Sequence, residues 1–248
     1  MKVPVVLLHG SFGCGEDWRA VVDRLDRDAH TPDLPAHGDR FAEAASSFED
    51  TVDELVRSLP DRCDLVGYSL GGRLALAAAM RAPAGRVRSL VLESAHPGLS
   101  DAARVERRRQ DTAQGEQLAQ SPRAFLRDFY ASELFASFRA HGDFERVVAE
   151  RTERAARAPA ALGATIAALS VGNQPPLTDA LLRSDLPTML AVGSLDAKYA
   201  GIAAALRDAA PPDRNIQLRV VAGAGHNVHL EAPDAFADAL TSFWGAQA

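Results

Sequence analysis

The run Gly67-Tyr68-Ser69-Leu70-Gly71 constrains this chain more than any other feature. A strand-length segment, Asp64–Tyr68, leads into it, and a helical pattern from Leu70 to Arg81 follows at once. A backbone that passes from strand to helix without a loop must turn sharply at the serine. That turn lifts the Ser69 hydroxyl out of the sheet, and the flanking glycines let neighbouring backbone approach closely. Such a step asks the rest of the chain for a sheet whose strands alternate with helices.

The rest of the chain supplies it. Val3–Leu8 is a continuous apolar run, the look of a strand buried on both faces. Strand patterns recur at Ala29–Thr31, Asp64–Tyr68, Val87–Leu92, Thr188–Val192 and Gln217–Val221. Helical patterns fall between them at Asp17–Leu25, Phe48–Leu59, Leu70–Arg81, Ile202–Asp208 and Pro233–Phe243. For the second of these, Thr51 with Glu54 and Ser47 with Asp50 both fit a capping arrangement. This alternation predicts an α/β fold with a mostly parallel sheet of about six strands. It is interrupted from about Gly98 to Pro176, where only helical patterns occur. The expected organisation is a core of residues 1–97 and 177–248 with an inserted helical cap at 98–176.

Order along the chain then points to chemistry. Asp196 follows the fifth strand pattern in Gly193-Ser194-Leu195-Asp196, and His226 follows the sixth in Gly223-Ala224-Gly225-His226-Asn227. Loops leaving the carboxyl ends of parallel strands are where sites form in such sheets. Serine, then acid, then histidine is the order in which His226 would take a proton from Ser69 while Asp196 orients the imidazole. His229 is the rival base; Asp185, which precedes its strand, is a poorer rival acid. His9-Gly10-Ser11-Phe12 follows the first strand, so the backbone N–H groups of Ser11 and Leu70 could form an oxyanion hole. His9 and His37 read as structural hydrogen-bonders. Cys14 and Cys63 have no metal spacing and read as buried free thiols.

Composition narrows the ligand. The chain of 248 residues is 47% apolar, enough for a large core and incompatible with disorder. Its net charge of −6 argues against nucleic acid. No apolar run is long enough to span a membrane, the N-terminal run lacks a signal-peptide cleavage site, and a cytoplasmic location is expected. Of 27 basic residues only Lys2 and Lys198 are lysines, leaving 25 arginines. Most of that is compositional drift, but the placement is informative. Arg73 lies one helical turn beyond Ser69 on the same face. Residues 101–157 hold 11 arginines, with Arg104, Arg107, Arg108 and Arg109 crowding one helix.

These residues resemble the α/β-hydrolase superfamily. A narrower resemblance runs through nearly the whole chain: Val66–Arg73, Glu93–Leu99, Arg104–Arg107, Phe135-Ala136-Ser137, Asn173–Leu177 and Gly223–Asn227 are similar to the menaquinone-pathway synthases that form 2-succinyl-6-hydroxy-2,4-cyclohexadiene-1-carboxylate. The resemblance implies a pyruvate-eliminating lyase in which the serine serves as a base on carbon, without an acyl-enzyme. It implies a small substrate with three carboxylates and no metal or organic cofactor. It places Tyr68 and Arg73 beside the base, Arg107 (with Arg104 or Arg108 after a slip) and Arg157 (with Arg154 the alternative) in the cap, and Lys198 just past the acid. Where these synthases commonly show Trp-Tyr, this chain has Phe129-Tyr130, leaving an apolar wall. The leading antiparallel hairpin usual in the superfamily is expected to be missing. The alternative function is a serine carboxylesterase, thioesterase or C–C bond hydrolase.

Overall fold

A computed structural model describes residues 2–247; Met1 and Ala248, the outermost residues of the expected core segments, lie outside the described residues. The strands are β1 (Val5–Leu8), β2 (Ala29–His30), β3 (Cys63–Tyr68), β4 (Val87–Glu93), β5 (Thr188–Gly193) and β6 (Ile216–Val221). They pair in the order β2-β1-β3-β4-β5-β6, every neighbour parallel. The first half supplies α1 (Arg19–Val22), α2 (Phe48–Ser58) and α3 (Leu70–Arg81). Between β4 and β5 lie α4 (Asp101–Gln120), α5 (Pro122–Ala131), α6 (Ala136–Arg139), α7 (Phe144–Arg157), α8 (Pro159–Ala168) and α9 (Thr178–Arg183), with no strand. The chain closes through α10 (Ala197–Ala209), α11 (Val228–Glu231) and α12 (Pro233–Gly245). No helix among the described residues is long and apolar enough to cross a membrane.

The period-2 geometry of the strands explains the two-sided core. Val6 and Leu8 of β1 join Phe48, Val52, Leu65 and Leu74 on one face, under α2, α3 and α10. Val5 and Leu7 face the other way, onto Trp18, Phe236, Leu240 and Phe243. A third apolar cluster, including Phe125, Leu126, Tyr130, Phe135 and Leu162, lies within the helical insertion and takes in Phe12 from the core.

Three local expectations shift. The segment expected as one helix over Asp17–Leu25 is a 3-10 turn at Gly15–Trp18 followed by the short α1, because the Asp17 side chain folds back onto the Cys14 N–H. α2 starts with Ser47 as its cap: Ser47 accepts from the Asp50 N–H at 3.0 Å, while Thr51 donates its hydroxyl to the Ser47 carbonyl. α10 begins at Ala197, five residues before the expected start, since Asp196 caps it by accepting from the Tyr199 N–H at 3.1 Å.

Candidate active site

Ser69 sits at the junction of β3 and α3 with φ 49° and ψ −108°, a sparsely populated region that costs about 1–3 kcal/mol and persists only where its surroundings enforce it. Its N–H donates to the Glu93 carbonyl at 2.9 Å, which pins the turn to β4. Gly71 allows the start of α3 to press on the end of β1: a Cβ there would lie 2.3 Å from the Leu8 carbonyl oxygen. Leu70, as the first residue of α3, has an N–H with no partner in the helix, at its positive end. Ser11 and Leu70 line the same cavity as Ser69.

The structure brings the three expected residues together. His226 Nδ1 donates to Asp196 Oδ2 at 2.7 Å, so Nε2 is left to accept from the Ser69 hydroxyl at 3.3 Å. Both His226 and Asp196 are buried. The rivals go elsewhere. His229 is fully buried, with Nδ1 on Glu93 Oε1 at 2.8 Å and its ring between Trp18 and Tyr68. Asp185 pairs with Arg214 before β5 begins. His9 accepts from the Leu34 N–H and His37 donates to the Pro35 carbonyl. Cys14 and Cys63 are buried free thiols.

The relay opens into a cavity of about 570 Å³ lined by four cationic side chains, Arg73, Arg107, Arg151 and Lys198, and one carboxylate, Asp128. Arg73 Nη2 donates to the Leu169 carbonyl at 2.8 Å, while Nη1 is buried with no partner among the described residues. Burial lowers its pKa to about 10, and Arg107 pushes the same way, yet Arg73 stays a cation at neutral pH. Arg107 Nε is held at 2.7 Å by Asp111, itself fixed by Ser170. The Lys198 ammonium stands 5.4 Å from the Tyr199 ring centroid. Phe129 and Phe135 add apolar surface to the lining. Tyr68 borders the cavity, but its hydroxyl donates to Asn227 Oδ1, and burial holds its pKa well above the ordinary value.

Arg157 is a correction. Its guanidinium lies 3.9 Å from the Phe41 ring centroid, beside a separate cavity of about 340 Å³ that it shares with Arg154 and Cys14. The arginine of α7 that reaches the main cavity is Arg151. Val147, Arg151 and Ala155 form the buried stripe of α7, so the phase of the apolar residues was the signal for it. Arg157 lies six residues on, rotated by about 240° around the helix. Arg104 and Arg108, the alternatives to Arg107, both donate to the Gly172 carbonyl and do not line the cavity. The sequence reasoning also passed over His96. Its Nδ1 accepts from the Gly98 N–H at 3.0 Å, so the proton of the neutral ring is on Nε2. Burial, then Lys198, Arg73 and Arg107, lower its pKa.

A six-stranded parallel sheet with a strained serine turn, an acid after β5 and a histidine after β6 is the arrangement of an α/β hydrolase. The chain belongs to the alpha/beta hydrolase family, which it matches over residues 5–239. Within that family it is similar to the 2-succinyl-6-hydroxy-2,4-cyclohexadiene-1-carboxylate synthase of Serratia proteamaculans (strain 568), at 36% identity over 247 residues, covering 96% of this chain and 92% of that one. Among solved structures, MenH from S. aureus superposes with a TM-score of 0.87 at 25% identity, covering 98% of this chain and 94% of that one. A malate-bound thermophilic esterase from Thermogutta terrifontis gives 0.80 at 26% identity, covering 99% and 90%.

Proposed function

We propose that this chain is a lyase that eliminates pyruvate from the enolpyruvyl succinyl-cyclohexene carboxylate and forms 2-succinyl-6-hydroxy-2,4-cyclohexadiene-1-carboxylate. The observation that carries this reading is the meeting, in one cavity, of the Ser69–His226–Asp196 relay with the four cations Arg73, Arg107, Arg151 and Lys198. Three substrate carboxylates match that wall, because guanidinium forks pair with carboxylates through two parallel hydrogen bonds. The name of the Serratia relative points to the same product.

Each residue then has a step. His226 takes the Ser69 hydroxyl proton, and Asp196 stabilises the imidazolium. The Ser69 oxygen takes the ring proton next to the succinyl carbonyl. The negative charge that develops on that carbonyl oxygen is met by the N–H groups of Ser11 and Leu70. The electron pair moves through the ring, the bond to the enolpyruvyl oxygen breaks, and His226 returns its proton to the leaving enolate, which becomes pyruvate. Ser69 is regenerated without an acyl-enzyme. The substrate is a soluble, multiply charged small molecule, which supports a cytoplasmic location.

Purified protein given this intermediate is expected to release pyruvate, read by a coupled reductase. Release of none, together with good hydrolysis of simple esters and a trapped covalent Ser69 adduct, would replace the reading by that of a serine carboxylesterase or thioesterase, for which the same relay would make Ser69 a nucleophile.

A further inference from the structure

Asp17 lies outside the relay and outside the lining of the main cavity, yet its side chain is only 10% exposed and contacts two parts of the molecule at once. Within the core, Oδ2 accepts from the Cys14 N–H at 3.3 Å and closes the turn that follows Ser11. Gly13 leaves the space for this, since a Cβ there would fall 2.4 Å from that oxygen. Toward the insertion, the same Oδ2 accepts from Arg151 Nη2 at 2.5 Å. Arg151 Nη1 donates to the Tyr130 hydroxyl at 2.8 Å, which leaves Nε a buried donor without a partner among the described residues. The Arg151 side chain is 2% exposed and lines the cavity. A second contact runs in parallel: the Phe12 ring meets Phe129 edge-on at 4.9 Å. The core turn and the helical insertion are therefore tied twice, once by charge and once by packing.

We infer that Asp17 is a positioning residue for substrate recognition: it fixes the Arg151 guanidinium at the cavity wall and ties it to the turn carrying Ser11. The inference rests on the reading of the cavity as a carboxylate site. A flexible arginine loses several rotamers when it binds an anion, and a partner that has already fixed them removes that cost. The carboxylate also offsets part of the charge of Arg151, so orientation and attraction act in opposite directions on binding. Asp17 matters for recognition in the sense claimed only if orientation wins.

Steady-state pyruvate release by the full chain separates the two. Asp17→Asn keeps the size and an oxygen acceptor for the Cys14 N–H; it is expected to raise KM about tenfold with a smaller change in kcat. Arg151→Gln raises KM at least as far, and the double variant is no worse than Arg151→Gln alone, as residues acting as one unit require. Glu16→Gln, on the same turn but paired outward with Arg19, behaves as the parent. An unchanged or lowered KM in Asp17→Asn, or a double variant that loses the product of the two single losses, overturns the inference. If Asp17→Asn does not fold, Asp17→Glu keeps the charge but displaces the guanidinium, and the same rise in KM is required of it. Calorimetric binding of succinate keeps the inference apart from the reaction. If the parent releases no pyruvate but binds succinate, and Asp17→Asn binds it about tenfold more weakly, the inference stands and the lyase reading falls. If the parent neither releases pyruvate nor binds succinate, both fall.

Discussion

The sheet and the helical insertion face one cavity but build it by different means. Ser69, Asp196 and His226 all leave the carboxyl ends of strands, and backbone bonds fix where they leave: Ser69 N–H to the Glu93 carbonyl and Leu195 N–H to the Ala224 carbonyl, each at 2.9 Å. The insertion contributes Arg107 and Arg151 from helices, and only helix phase and local partners decide which arginines turn inward. The proposed chemistry is therefore placed by topology, and the proposed recognition by side-chain direction. A topological placement tolerates sequence change around it. A placement by helix phase is lost by a slip of one residue.

The widest break between the two regions comes from Ser69→Ala. It is expected to lower kcat for pyruvate release by about 10⁴–10⁶-fold, the range seen when a triad member is removed, while the cationic wall still binds substrate. Single-turnover assays beside equilibrium binding would check this; a variant that kept a tenth of the parent rate would remove Ser69 from the chemistry.

Arg73 tests whether the division is clean, because it belongs to α3 of the core yet stands among the cations of the cavity. Arg73→Ala should reduce kcat/KM about 100-fold, since a buried carboxylate loses its charged partner. Arg73→Lys should recover only part, because a point charge cannot reproduce a two-pronged guanidinium. Full recovery by lysine would reduce the role of Arg73 to simple attraction.

The histidines of the core sharpen the contrast from the side of stability. His37 is buried, and burial first, then the neighbouring His9, lower its pKa from 6.5 to about 3. The unfolded chain takes up this proton below pH 6.5 and the folded chain does not until about pH 3. The stability tied to His37 is thus whole above pH 6.5 and drains away as the pH falls toward 3. Between pH 7 and pH 5 the loss from this one group is about 2 kcal/mol. Urea melts at the two pH values should show His37→Asn losing less than the parent by about that amount. An equal loss in both would mean that His37 is open to water.

The same contrast explains how much could be read from the sequence. The six strands, their parallel direction and the positions of Ser69, Asp196 and His226 were legible because strand-length apolar runs and the loops after them are local signals. The resemblance named Arg107, which lines the cavity, and Arg157, which does not; local pattern alone singled out neither. α4 buries only Asp111, Gly115 and Leu118, so its pattern gives little phase information, and nothing local announces that Asp111 holds Arg107 inward while Gly172 holds Arg104 and Arg108. In α7 the information was present, in Val147 and Ala155, but the family resemblance pointed to Arg157, with Arg154 the alternative, and passed over Arg151. His96 was invisible for another reason: its direction comes from a bond to the Gly98 N–H, two residues away in a loop.

The smallest expected effect is the most exacting check on the phase argument. Arg157→Gln removes a cation whose contacts lie over Phe41 and toward a second cavity, so kcat/KM should stay within about twofold of the parent, as for a change away from buried pairs. Arg151→Gln, six residues earlier on α7, should lose substrate affinity, because the Asp17 and Tyr130 contacts go with it. The pair has an internal control, since both changes remove one positive charge from one helix. Long-range attraction alone would make them alike at low salt and would weaken both as salt rises. A recognition site set by helix phase makes them unlike at every ionic strength. If the two variants lost activity equally, the insertion would act through its net charge, and the distinction between a topological core and a phased insertion would not survive.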